Sequence, residues 1–145
     1  MTSKRMVRGN RVLPGRALIV EDDALVAMDI AEALTDSGAE HVVVCGSIAA
    51  ALHEMEKVCP DLLVLDVRLA DRDDGWSLAE LANQLNPVPP FIVFSTGSPA
   101  SIPPETAALG HVLVKPFPPE ALVRLVSERR PAAGLLAKLR SGAPR

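Results

Sequence analysis

Four short apolar runs in this sequence end on groups that can handle a small anion. Glu21 and Asp22 follow Ala17 to Val20, Asp66 follows Leu62 to Leu65, Thr96 closely follows Phe91 to Phe94, and Lys115 follows Val112 to Val114. Three carboxylates in one pocket raise one another's pKa, so they need a cation to stay ionised together. An all-oxygen donor set suits Mg²⁺, and the lack of a His or Cys cluster argues against zinc. A divalent ion beside Asp66, a hydroxyl from Thr96 and an ammonium from Lys115 would enclose something tetrahedral and negative, for which a phosphoryl group is the natural candidate. With Asp66 as nucleophile the product is an acyl phosphate, and the surrounding groups supply the positioning and charge neutralisation that phosphoryl transfer needs.

Taken singly, each of these residues has an ordinary reading. A lone Asp at a strand end often just begins a loop, and acids at a helix start suit its dipole. What brings them together is the order of the elements. Leu62 to Asp66, bounded by Pro60 and the polar turn Asp71 to Gly75, reads as a strand buried on both faces. Ala17 to Val20, Val42 to Val44, Phe91 to Phe94 and Val112 to Val114 read as four more. Between them lie helical patterns: Val26, Ile30, Ala33 and Leu34 before Gly38; Ile48, Ala51, Leu52 and Met55 behind the cap Ser47; and Trp76, Leu78, Leu81, Ala82 and Leu85. Pro118 or Pro119 opens a further helix with Leu122, Leu125 and Val126 inward. Ser98 to Gly110, with three prolines, is the weak crossover, holding at most a short helix around Glu105 to Leu109. Alternating strands and helices predict an α/β fold with a parallel sheet and right-handed crossovers. All strand carboxyl ends then share one edge, where ligand sites of such sheets collect.

The 145 residues allow one ordinary domain, and 48% hydrophobic residues are enough to build a core. No apolar run approaches the roughly 18 residues that span a bilayer, and the first 16 have no apolar signal core, so a cytoplasmic protein without membrane contact is expected. Cys45 and Cys59 are too few for a disulfide scaffold and read as ordinary thiols. Only 3% of residues are aromatic, which argues against stacking on single-stranded nucleic acid. Net charge is −3, with a basic start (Lys4, Arg5, Arg8, Arg11, Arg16) and a basic end. The expected organisation is a disordered basic arm over 1–16, one domain over 17–130, and a short helix with a tail over 131–145. His41, His53 and His111 do not fall at the strand ends.

From about Ala17 to Val126 the sequence resembles the receiver domains of two-component response regulators. Ile19-Val20-Glu21-Asp22 resembles their acidic pair, Leu63-Val64-Leu65-Asp66 their phosphoacceptor strand, Thr96-Gly97 their switch hydroxyl, and Lys115-Pro116-Phe117 their Lys-Pro-Phe turn. Phe94-Ser95-Thr96-Gly97 is also similar to the FATGUY subgroup, with Ser95 in place of Ala. Departures are Pro99 where that subgroup has Tyr, Ala70 where many receivers have Pro, and Val112 at the usual aromatic switch position. The resemblance implies a flavodoxin-like five-stranded sheet of order 2-1-3-4-5, with helices on both faces. It further implies Mg²⁺ held by Glu21, Asp22, Asp66 and the Arg68 main-chain carbonyl, and a histidine kinase or phosphotransfer protein as phosphodonor.

With no effector domain after Val126, the expected output is binding to a downstream protein, by a monomer or weak homodimer that does not act as an enzyme on other substrates. One alternative is an aspartyl phosphatase of the haloacid-dehalogenase type, which wants a second Asp where Arg68 stands. Another is a degenerate receiver that only binds a partner.

Overall fold

The computed structural model describes residues 15–69 and 74–129. In chain order its elements are β1 (Arg16–Val20), α1 (Ala24–Asp36), β2 (His41–Cys45), α2 (Ile48–Lys57), β3 (Leu62–Asp66) and α3 (Ser77–Leu85). Then come β4 (Phe91–Thr96), a 3-10 turn (Pro99–Ser101), α4 (Pro104–Ala107), β5 (His111–Val114) and α5 (Pro119–Arg129). The strands form one parallel sheet of order β2-β1-β3-β4-β5. This is the predicted flavodoxin-like architecture, and it puts every strand's carboxyl end on one edge.

Strand alternation sorts the apolar residues into two layers. Leu18, Val20, Leu63, Leu65, Ile92 and Phe94 pack with Ile48 and Ala51 of α2 and Leu78, Ala79 and Ala82 of α3. Ala17, Ile19, Leu62, Val64 and Val93 pack on the other face with Ala27, Ile30 and Leu34 of α1 and Leu122, Val123 and Val126 of α5. All five residues of β3 are buried, as its unbroken apolar run requires of a central strand. Each such Leu or Val contributes about 1.5–3 kcal/mol through burial, which makes β3 the firmest support for the carboxylate at its end.

Local signals set the helix ends. Asp23 caps α1, its side chain accepting from the N–H groups of Leu25 and Val26. Gly38, at φ 119°, turns the chain after α1 in a conformation that costs glycine little. Ser47 caps α2 through Ala50 N–H at 3.1 Å. Gly75 approaches β3 so closely that a Cβ there would lie 2.7 Å from the Asp66 carbonyl oxygen, which explains a glycine between Asp66 and α3.

Two features differ from expectation. Leu85 is exposed, so the inner face of α3 is the narrower set Leu78, Ala79 and Ala82. The proline-rich crossover is better anchored than its composition implies: Ile102 and Thr106 are both buried, and Thr106 Oγ1 donates to Glu80 Oε2 of α3 at 2.6 Å. The basic start, Ala70, most of the turn from Asp71, and the expected helix around Leu135 to Leu139 lie outside the described residues. Among the described residues no helix is long and apolar enough to cross a membrane.

Candidate functional site

The carboxyl edge of β1 and β3 carries an acidic group, and β5 supplies its counter-charge. Carboxylate oxygens of Glu21, Asp22 and Asp66 all lie within 4.8 Å of one another. Glu21 and Asp66 are buried and Asp22 is exposed, so the pocket has a closed floor and an open side. Lys115, one residue past β5, places Nζ 2.9 Å from Glu21 Oε1 and 3.4 Å from Asp66 Oδ2. Its backbone N–H donates to the Thr96 carbonyl at 2.8 Å, fixing the start of the Lys115 turn against the end of β4. The Lys115–Pro116 peptide is cis.

Backbone donors hold the acids in place. Arg68 N–H donates to Asp66 Oδ1 at 3.1 Å, and Asp23 N–H donates to Glu21 Oε2 at 3.1 Å. Asp66 thus has a donor on one oxygen and an ammonium beside the other.

Burial sets the electrostatics. It is the main cause that raises the Glu21 carboxyl above its ordinary range; Lys115 and the Asp23 N–H oppose the rise, and Asp66 adds to it. For Lys115 burial acts downward, but the hydrogen bond to Glu21 and the charges of Asp66 and Glu21 outweigh it and raise the ammonium. Burial and Asp66 thus disfavour charge on Glu21, while the acids favour charge on Lys115.

Of the residues singled out in sequence, Glu21, Asp22, Asp66 and Lys115 come together directly. Thr96 is buried at the neighbouring strand end, where its Oγ1 accepts from Ser98 N–H at 2.9 Å. That bond leaves the hydroxyl proton free to be donated elsewhere. Arg68 follows Asp66 by two, with its side chain exposed. The third acid of the early cluster, Asp23, is the α1 cap and not a member of the acidic group. Sequence reading had left Asp23 out of the metal set but did not name it as the cap, although its place just before the periodic pattern of α1 was a usable signal. The donor set passes a simple test for Mg²⁺: three convergent carboxylates, all-oxygen, one side open to water.

The chain matches the response regulator receiver domain family over residues 17–127. It is 35% identical over 106 residues to the transcriptional regulatory protein PdtaR of Mycobacterium tuberculosis, an alignment covering 72% of this chain and 51% of PdtaR. The chain thus spans about half the length of that curated relative. Among solved structures it is similar to the response regulator PhyR from Brucella abortus, with TM-score 0.71 and 25% identity over 98% of this chain and 56% of that one. It is also similar to a CheY-like receiver domain from Methylobacillus flagellatus, with TM-score 0.67 and 27% identity over 76% of this chain and 93% of that one. With its sheet order, its acidic group and its strand-end lysine, the chain belongs to the response regulator receiver domain family.

Proposed function

We propose that this chain accepts a phosphoryl group on Asp66 and signals by binding a protein in a phosphorylation-dependent way. The observation that carries this reading is the contact of one ammonium, Lys115, with both Asp66 and Glu21 beside a group of three convergent acids. The donor is a phosphohistidine on a histidine kinase or phosphotransfer protein. An Asp66 carboxylate oxygen bonds to phosphorus as the phosphorus–nitrogen bond breaks, and the electron pair leaves with the imidazole.

Glu21, Asp22, Asp66 and the Arg68 main-chain carbonyl would hold Mg²⁺, which when bound supplies charge neutralisation for the phosphoryl oxygens. Lys115 takes one of those oxygens, and Thr96 donates its free proton to another. The output is a contact with a downstream protein, made in the cytoplasm by a monomer or weak homodimer, without nucleic-acid or membrane binding by the receiver itself. The receiver is proposed to occupy 17–130, with 1–16 and 131–145 flanking it.

Intact-mass analysis with acetyl phosphate and Mg²⁺ tests the assignment. The parent should gain one phosphoryl group and Asp66→Asn none. A variant that keeps the added mass would show that Asp66 is not the acceptor.

A further inference from the structure

β2 (His41–Cys45) lies at one edge of the sheet. His41 N–H donates to the Gly15 carbonyl, and the Cys45 carbonyl accepts from Glu21 N–H, so His41, Val43 and Cys45 turn their backbone groups toward β1. Alternation along the strand then points the N–H and C=O of Val42 and Val44 away from the sheet. The side chains beside this free ladder are apolar on both faces. Cys45 packs in the layer of α2, and Val43, on the same face, is 39% exposed. Val42 packs in the layer of α1, and Val44, on that face, is 44% exposed. Edge strands are usually blunted by Lys, Pro or a bulge. From Ala39 to Ser47 there is neither Lys nor Pro, and the pairing of β2 with β1 runs without a bulge. β5, at the opposite edge, is followed by Lys115 and by Pro116, which has no N–H to offer.

We propose that β2 is a self-association surface, on which β2 of a second copy of this chain lies antiparallel about a two-fold axis at Val43. In that register Val42 of one copy stands opposite Val44 of the other, the pair exchanges both its hydrogen bonds, and symmetry repeats it. Val43 meets its own copy in the closer, non-hydrogen-bonded position on the α2 face. Charge agrees with this register. Exposed Glu40 falls opposite Gly46, where a Cβ would meet nothing within 4 Å, and Gly46 leads into α2, which has no acid in its first turn. Each copy's Glu40 thus approaches the positive end of the other copy's α2. A strand pair of this length buries less than the roughly 1,200 Å² at which standard interfaces begin, so the dimer is weak and depends on concentration. Antiparallel pairing sends the two acidic site edges in opposite directions, and β2 carries no site residue. The association therefore does not depend on phosphorylation of Asp66.

Sedimentation velocity and residue-resolved amide exchange from about 10 μM to about 1 mM test this, the span over which so small an interface should fill. The mass should rise toward that of a dimer. Exchange at Val42 and Val44 should slow several-fold, while Val43, already paired to β1, stays as it was. Val43→Lys sets like charges face to face, and Val44→Pro deletes only an N–H that β1 does not use, so each should keep the chain monomeric. Val114→Lys on β5 should associate like the parent, as should the parent with beryllofluoride and Mg²⁺. A parent that stays monomeric, or a dimer that survives both β2 substitutions, would overturn the proposal. So would association that Val114→Lys abolishes or that requires beryllofluoride, since either result places the contact elsewhere.

Discussion

Lys115 reaches from the far edge strand to sit 2.9 Å from Glu21 Oε1 and 3.4 Å from Asp66 Oδ2, so one ammonium serves two buried carboxylates on two other strands. Replacing it with Ala should cost about 2 kcal/mol in metal-free buffer. That is less than the roughly 3–5 kcal/mol for breaking a fully buried pair, because the lysine side chain keeps some exposure to solvent. Mg²⁺ should restore most of the loss, since it neutralises the same acids. Urea unfolding with and without Mg²⁺ measures both effects. A deficit unchanged at saturating Mg²⁺ would mean that Lys115 supports packing and not charge balance.

The same contact predicts a pH dependence. Glu21 is raised above its ordinary 4.5, so between 4.5 and its folded value the native state binds the proton that the unfolded chain has lost. Stability from this group therefore falls as pH rises through that interval. Lys115 is raised above 10.5, so its contribution is complete below 10.5 and is lost as pH rises through the folded value. The two slopes have the same sign in separate windows. In a chelating buffer, Glu21→Gln should gain stability relative to the parent as pH climbs from about 4.5 toward neutrality. A difference between the two proteins that stays constant across that range would contradict the assignment.

Asp22 and Asp23 are adjacent, yet their roles separate cleanly. Asp22 is exposed and belongs to the convergent acids, whereas Asp23 caps α1 through Leu25 and Val26 N–H. Asp22→Ala should lower Mg²⁺ affinity about tenfold with little change in melting, since the pocket loses one of its charged ligands. Asp23→Ala should instead cost about 1 kcal/mol of stability, as lost helix caps do, and leave Mg²⁺ affinity nearly intact. Calorimetric titration and thermal melts on both variants check the pair. Exchanged phenotypes would put the acidic pair one residue later.

These divisions show which parts of the molecule were legible in the sequence. Leu62 to Asp66 announced a central strand because a parallel sheet demands an unbroken apolar run, and the strand ends followed once helices were seen to alternate with strands. Glu21, Asp22, Asp66 and Lys115 were found because an edge shared by all strands must gather them. The capping role of Asp23 was not named, although it was kept out of the metal set, since one residue of register decides between capping and ligation. Ser95 looked like a simple exchange for Ala, because an orphaned hydroxyl is visible only once its neighbours are in place. Leu85 fits a helical face by periodicity, but α3 ends with it and leaves it in solvent. Ile102 and Thr106 were hidden among prolines, and the partner of Thr106, Glu80, lies on a different helix.

On the proposed reading, in which Thr96 answers phosphorylation, that last contact sets how far a change after Thr96 can spread. Gly97 to Ser101 is exposed throughout, while the next residue, Ile102, is buried and Thr106 is both buried and bonded to Glu80 at 2.6 Å. Phosphorylation adds roughly −1.5 to −2 charge if the acyl phosphate resembles other phosphate monoesters, and Thr96 is the hydroxyl proposed to answer it. Val112 supplies no ring to swing inward, so the change is expected in the backbone after Thr96 and not in an aromatic on β5. Few buried contacts hold residues 97–101, and their amides should change protection first when beryllofluoride and Mg²⁺ are added. Protection from 104 to 110 should change less, because the Thr106 and Ile102 anchors resist. Thr106→Val removes one anchor at a cost of about 1.5–3 kcal/mol, the scale of a hydrogen bond to a charged acceptor, and should let the change spread through Gly110. Amide hydrogen exchange on parent and variant reads this directly. Unchanged protection from Thr96 to Lys115 at saturating beryllofluoride would rule out this segment as the route, and an unchanged pattern in Thr106→Val would show that the Glu80 contact does not restrain it.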